Sequence, residues 1–278
     1  LKLGESSKSG IVRRFLENLI PEGKGLEDIT QFAHISKNNT FAIIKAIGYD
    51  TSGALMFWEH TNQYEEIFRS ISDEELANRI TNIEESSIVI WDKKERLGLA
   101  GVQEKLPVII KDGQIGLGDG LLSSTHIMKF QTKKHANMVV NELFCMKLAK
   151  MINLNVAEVE LYRFQEHPVL MVKRFDRVYK ENRVERLHVI DACQMLDLSS
   201  AHKYERNFGS GRDVKDIREG ASFSKLFKSA DICEVPAKAK LEMLNWSVFN
   251  LIIGNSDAHG KNFSFFVDEN GIRPTPFY

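Results

Sequence analysis

Cysteine, proline and any excess of one charge sign are all in short supply. The three cysteines, Cys145, Cys193 and Cys233, stand far apart, and none forms a Cys-x-x-Cys or Cys/His pair with metal spacing. A scattered, odd-numbered set argues against a disulfide framework and against a structural zinc site. Reduced thiols in a cytoplasmic protein are the expectation. Six prolines and no low-complexity tract argue against long disordered segments. Lys and Arg number 37 against 38 Asp and Glu, for a net charge of −1. That balance carries no global signal for nucleic acid or for a membrane surface, so any DNA contact needs a local patch or a partner. No apolar run reaches the roughly 18 residues of a membrane helix. The polar opening LKLGESSKSG has no apolar signal core. What is present is a hydrophobic content of 43% in 278 residues, enough for one large domain or two modest ones.

Periodicity changes along the chain. IVRRFLENLI repeats apolar residues at helical spacing and stops at Pro21-Glu22-Gly23, while LEDITQFAHI and NNTFAIIKAIG look alike, with Gly48 as a stop. A short strand, ALMFW, is expected after Ser52-Gly53. SDEELANRI reads as a helix capped by Ser72 with Glu75 three residues on. From residue 86 the pattern turns to strands: SSIVIW, then KLPVIIKDGQIGL with an Asp112-Gly113 hairpin turn, then STHIMKF. HANMVVNELFCMKLAKMIN is a helix. VAEVELYRF and PVLMVKRFD are two further strands, joined near Gln165-Glu166-His167. Helices dominate from about residue 186, above all AKAKLEMLNWSVFNLIIG, and FSFFVDENGIRPTPF closes as a hairpin. The fold class is α+β, a sheet lobe followed by a helical lobe. Three regions are expected: residues 1–85, mostly helical; 86–175, rich in strands; and 176–278, helical.

Several residues carry candidate chemistry. In LGLAGVQEK, glycines just before a strand let backbone N–H groups approach an anion, although an ordinary turn uses glycine too. Lys129 shares a strand face with Thr125 and Ile127 by the period of two. It reads as an exposed edge residue, a snorkelling one or a phosphate ligand. Glu142 falls on a helix face with Met138, Val139, Cys145, Met146 and Ala149. It reads either as an ordinary exposed helix residue or as a buried carboxylate, which needs a cation, and Lys129 is the natural one. A strand Lys paired with a helix Glu is the device with which protein kinases hold ATP phosphates. The loop GNSDAHGKN places Asp257 and Asn262 at the D-x-x-x-x-N spacing of a catalytic base and a metal-binding amide. His259 between them either orients the Asp or is structural, and Lys261 is placed to neutralise a transferring phosphoryl group. MVKRFDR ends a strand where the lobes meet. Backbone groups of Lys173, Arg174 and Phe175 are candidates for adenine, the alternative being a solvated strand end.

In order along nearly the whole chain, RRFLENLIPEG, DTSGAL, LAGVQEK, STHIMKF, NELFCMKLAK, MVKRFDR, DACQML, KYE, IIGNSDAHGKNFSFF and RPTPFY resemble the HipA family of bacterial toxin kinases. The resemblance implies a two-lobed protein-kinase-like fold, similar to phosphatidylinositol kinases. It implies an ATP- and Mg2+-dependent Ser/Thr protein kinase, the toxin of a toxin–antitoxin pair. Its substrate would be an aminoacyl-tRNA synthetase, so that translation halts and dormancy follows. A helix-turn-helix antitoxin of the HipB type would bring it to operator DNA. By carry-over Asp257 is the base, Asn262 a magnesium ligand, Lys129 a phosphate ligand and Glu142 its partner. Gly101, Val102, Gln103 and Lys105 belong to the loop over the phosphates.

Three departures from the family pattern stand out. Gly98 occupies the position where a self-phosphorylated Ser is common, so Gly98→Ser is expected to create such a site. The family has further strands before FLENLIPEG and a metal-binding Asp after TPFY, so this sequence is expected to be a piece of a longer chain. Two other readings compete: an inactive HipA-like interaction module or co-repressor, and a small-molecule or lipid kinase, since D-x-H-x-x-N occurs in the wider superfamily.

Overall fold

The computed structural model describes residues 8–57, 66–96, 98–101, 103–119, 122–180 and 183–278. The chain divides into two compact units. One is Ile20–Leu187; in the other, residues 8–19, with helix α1 (Ser9–Glu17), join His188–Tyr278.

The Ile20–Leu187 unit opens with helices α2 (Gly23–Phe32) and α3 (Thr40–Ile47). Asn39 caps α3 by accepting from Ala42 N at 3.0 Å. The expected strand at 54–57 does not form. The backbone turns there instead, through Gly53 at φ 75°, and Thr51 Oγ1 donates to Leu55 O at 2.7 Å. Trp58, the last residue of that expected strand, lies outside the described residues. Strand β1 (Ile67–Ser70) precedes α4 (Asp73–Thr81), whose cap is the expected one: Ser72 Oγ accepts from Glu75 N at 3.1 Å. SSIVIW yields only β2 (Ile90–Trp91), paired with β3 (Lys94–Glu95).

Then come β4 (Lys105–Lys111), β5 (Gln114–Asp119), β6 (His126–Lys129), α5 (Met138–Met151), β7 (Val159–Phe164) and β8 (His167–Lys173). The β4–β5 turn has Asp112 at φ 50° and Gly113 at φ 76°, the twin left-handed residues that match the strands' own twist. The six-stranded sheet runs β1-β5-β4-β6-β8-β7, antiparallel throughout. One helical spacing explains how α5 docks. Val139 and Met146, seven residues apart, pack on Val159, Leu170 and Val172, with Ile127 alongside. An unexpected hairpin follows, β9 (Arg177–Lys180) and β10 (Arg183–Arg186).

The second unit holds β11 (Val189–Asp191), α6 (Ala192–Met195), α7 (Phe223–Ser229), α8 (Pro236–Ile252), β12 (Ser264–Asp268) and β13 (Gly271–Pro274). Its sheet is β11-β12-β13. Pro236 starts α8 at a position where its missing N–H costs nothing. Phe263 is the pivot of an aromatic core, with ring centroids 5.5 Å from Trp246, 5.2 Å from Phe265 and 6.0 Å from Phe277. The loop between α8 and β12 is therefore clamped at its far end by a buried ring. Among the described residues, no helix is long and apolar enough to cross a membrane.

Candidate active site

In the Ile20–Leu187 unit the strand alternation puts Lys129 and Ile127 on the α5 face of the sheet. Glu142 projects from α5 toward that face, and Lys129 Nζ lies 2.5 Å from Glu142 Oε1. Their side chains are 18% and 22% exposed, so the pair is sheltered yet open at one edge. Lys105 is the direct cross-strand neighbour of Lys129. Two lysines opposite one another repel, and the Glu142 carboxylate on Lys129 relieves that repulsion. Lys105 is buried, and its ammonium donates to Ala100 O. Gly101 sits directly over it at φ 109°, where an added Cβ would stand 2.6 Å from Lys105 Nζ. A side chain there would press on that ammonium and strain the backbone, so the position favours glycine. Gln103 Nε2 donates to Phe130 O at 3.3 Å, tying the loop to the end of β6. Val102 lies outside the described residues.

The expectation for the backbone of Lys173, Arg174 and Phe175 is narrowed at two of its donors. The N–H of Lys173 donates to Glu158 O at 2.9 Å and that of Arg174 to Thr125 O at 2.9 Å. Neither donor is spare, because the sheet continues through this point. RFDR is not a solvated strand end either. Arg174, Asp176 and Arg177 are each 7% exposed or less. Arg174 Nη2 and Arg177 Nη1 meet Asp176 Oδ2 at 2.7 and 2.9 Å, and Arg177 Nη2 meets Asp50 Oδ1 at 3.0 Å. Burial pushes the Asp176 carboxyl up, but the charges of Arg174 and Arg177 outweigh it and hold the group well below the usual carboxylate range. Asp50 is lowered for the same balance of reasons, with Arg174, Arg177 and Arg186 around it. Phe175 turns toward the α5 cluster.

In the second unit, Gly254 ends α8 in the left-handed region at φ 68°. The chain then folds back, with Asn255 N donating to Asn250 O at 2.9 Å and Asn255 Nδ2 to Asn250 Oδ1 at 2.7 Å. Asn255 Oδ1 accepts from Asp257 N at 3.0 Å, and Asn262 Nδ2 donates to Asp257 O at 2.7 Å. The backbone of Asp257 is thus held from both sides while its side chain stays 73% exposed. His259 is under it, 8% exposed, with Nε2 3.9 Å from Asp257 Oδ1. Tyr204 Oη donates to the same Oδ1, and its ring meets His259 edge-on at a centroid distance of 5.0 Å. Gly260 is required by close packing, since a Cβ would lie 2.8 Å from Ala221 Cβ and 2.9 Å from Cys193 Sγ.

Lys261 is not at the loop surface. It is 6% exposed, and its Nζ donates to Asn18 O at 2.7 Å and lies 3.6 Å from Asp191 Oδ2. Burial pushes the Asp191 carboxyl up despite that nearby charge. The expectation that Lys261 neutralises a phosphoryl group is therefore replaced: the ammonium points inward and serves as a post beneath the loop. Tyr204, Asn255, Asn18 and Asp191 were missed as site residues. Asn18 and Tyr204 act across 243 and 53 residues of chain, and no local spacing announces such partners.

The Asn262 amide oxygen is a hard donor of the kind magnesium takes, and its amide is oriented by the bond to Asp257 O. Among the described residues, no group of three or more His, Cys, Asp or Glu is arranged to hold a metal ion.

Residues 97–278 match the HipA-like C-terminal domain and residues 2–58 the HipA N-terminal domain. The serine/threonine-protein kinase toxin HipA of Shewanella oneidensis is 47% identical over 281 residues, covering 100% of this chain and 64% of that protein. A relative from Sinorhizobium fredii is 31% identical over 275 residues, covering 96% of this chain and 63% of its own length. The solved complex of the Shewanella oneidensis MR-1 toxin–antitoxin proteins HipA and HipB with operator DNA contains a chain that superposes with a TM-score of 0.89 at 46% identity, covering 99% of this chain and 65% of that one. This chain thus spans a little under two thirds of the length of these relatives. By sequence over its full length and by fold, the chain belongs to the HipA family.

Proposed function

We propose that this chain is the core of an ATP- and Mg2+-dependent Ser/Thr protein kinase, the toxin of a toxin–antitoxin pair. The observation that carries the reading is the organised loop: Asp257 exposed on a backbone braced at both ends, with Asn262 bound to it at 2.7 Å. Asp257 takes the proton of a Ser or Thr hydroxyl while that oxygen bonds to the terminal phosphorus and the bond to the leaving ADP oxygen breaks. Lys129, steadied by Glu142, holds phosphate oxygens, and the loop through Gly101 and Gln103, fastened by Lys105 to Ala100 O, lies over them. Magnesium, when bound, would neutralise phosphate charge, and the Asn262 amide oxygen would help to hold it. A HipB-type antitoxin and operator DNA are the proposed partners, by analogy with the Shewanella complex. An aminoacyl-tRNA synthetase as substrate rests on the family resemblance alone. A cytoplasmic location follows from such a target.

The test is transfer of label from γ-labelled ATP with magnesium, using the full gene product on lysate of its own host. A labelled protein band that disappears with Asp257→Asn supports the reading and identifies the target. The expected loss is about a hundredfold or more, as for other positioned bases. The melting temperature should hardly move, because the side chain is mostly in solvent. Undiminished label in Asp257→Asn would remove Asp257 as base.

A further inference from the structure

We infer that Tyr204 is the positioning residue of the catalytic base, an inference that rests on the reading of Asp257 as that base. Asp257 has a problem of its own making. A side chain that is 73% exposed on a loop has several rotamers open to it. Braces on its backbone do not choose among them. Among the described contacts of the carboxylate, the hydrogen bond donated by Tyr204 Oη to Oδ1 fixes its direction. The buried His259 ring stands 3.9 Å from that same oxygen. The tyrosine hydroxyl therefore engages Oδ1, which leaves Oδ2 to accept the hydroxyl of a substrate.

Tyr204 can do this because it is itself anchored. Lys203 O accepts from Gly260 N at 2.8 Å, so the tyrosine segment is bonded to the catalytic loop through the backbone as well as through the side chain. On its other side, His202 O accepts from Ala221 N at 2.8 Å and Glu205 O from Gly220 N at 3.2 Å. Gly220 lies so near that a Cβ there would stand 1.8 Å from Tyr204 O, so this seat tolerates glycine only. The phenol ring packs edge-on against His259 and carries Lys203 Nζ 5.7 Å from its centroid. These ring contacts survive in phenylalanine. Only the hydroxyl is lost, so Tyr204→Phe isolates the hydrogen bond.

The experiment compares the full-length kinase with its Tyr204→Phe variant in steady-state phosphate transfer. The expected result is a kcat lower by about tenfold to a hundredfold, the scale of a misaimed catalytic group, with KM for ATP within twofold. An unchanged kcat would overturn the inference. A general structural lesion would raise KM and lower the melting temperature together, and that pattern would overturn it too. A second readout does not depend on activity. The phenolic proton shared with a carboxylate gives a downfield proton resonance, which should vanish in Tyr204→Phe and in Asp257→Ala. Its persistence in Asp257→Ala would refute the pairing. Asp257→Asn retaining activity would instead sink the base assignment, an outcome distinct from either result at Tyr204.

Discussion

Lys129 Nζ and Glu142 Oε1 are 2.5 Å apart and join strand β6 to helix α5. The bond has two consequences: it fixes the direction of the lysine, and it ties the docking of α5 to the site. Lys129→Ala should weaken ATP binding by about tenfold to a hundredfold, the scale of a lost charge-assisted hydrogen bond. Glu142→Gln should give a smaller loss in the same direction. Calorimetric titration with a non-hydrolysable ATP analogue decides it, and equal affinity in wild type and Lys129→Ala would refute a phosphate role for Lys129.

Lys261 separates a chemical role from a structural one. With its ammonium bonded to Asn18 O and 3.6 Å from Asp191, Lys261→Met should lower stability by about 3 kcal/mol, since it strands a buried acid. Urea denaturation measures this. A variant as stable as the wild type but inactive would return Lys261 to the phosphoryl group.

Gly98→Ser was expected to create a self-modified position. The structure opposes this, because a Cβ on Gly98 would stand 2.3 Å from Asp50 O and 3.0 Å from Ile47 O. The backbone leaves no room, so the substitution should destabilise by about 1–3 kcal/mol, as overpacking does. Thermal unfolding and phosphopeptide mapping test it together. An undisturbed melting temperature with phosphate on the new serine would mean that the loop readily leaves this seat.

The Arg174–Asp176–Arg177–Asp50 cluster predicts a pH dependence. Asp176 and Asp50 both lie below their ordinary values in the folded protein. Each therefore contributes stability that is fully present above the unfolded value of about 3.9 and is lost as pH falls through the folded value. Wild-type stability should drop steeply below about pH 4. Asp176→Ala should already be about 3–5 kcal/mol less stable at pH 7. Denaturation at several pH values checks both, and an acid limb of equal slope in the variant would show that Asp176 is not its source.

Much of this was legible in the chain. The Asp112-Gly113 hairpin, the Ser72 cap, the α5 and α8 helices and the closing hairpin depend on neighbours within a few residues, which spacing reports directly. The Lys129–Glu142 pair was also readable, because strand and helix periods each put one charge on an apolar face. Strands β1, β9 and β10 were not, being short and polar, with IFRS, RVYK and RVER carrying no alternation that burial would impose.

The sequence by itself determined the family, the α+β class, and which residues bear a carboxylate, an amide or an ammonium at the loop. Only tertiary structure decided what those groups face. Lys261 turned inward because Asn18, 243 residues away in the chain, offers its carbonyl there. The donors of Lys173 and Arg174 were consumed because β8 stays in register with its neighbours to its end. Tyr204 came to Asp257 because Gly220 and Gly260 let two backbones approach closely. Partners of this kind are chosen by packing across long sequence separations, a relation that no local spacing encodes.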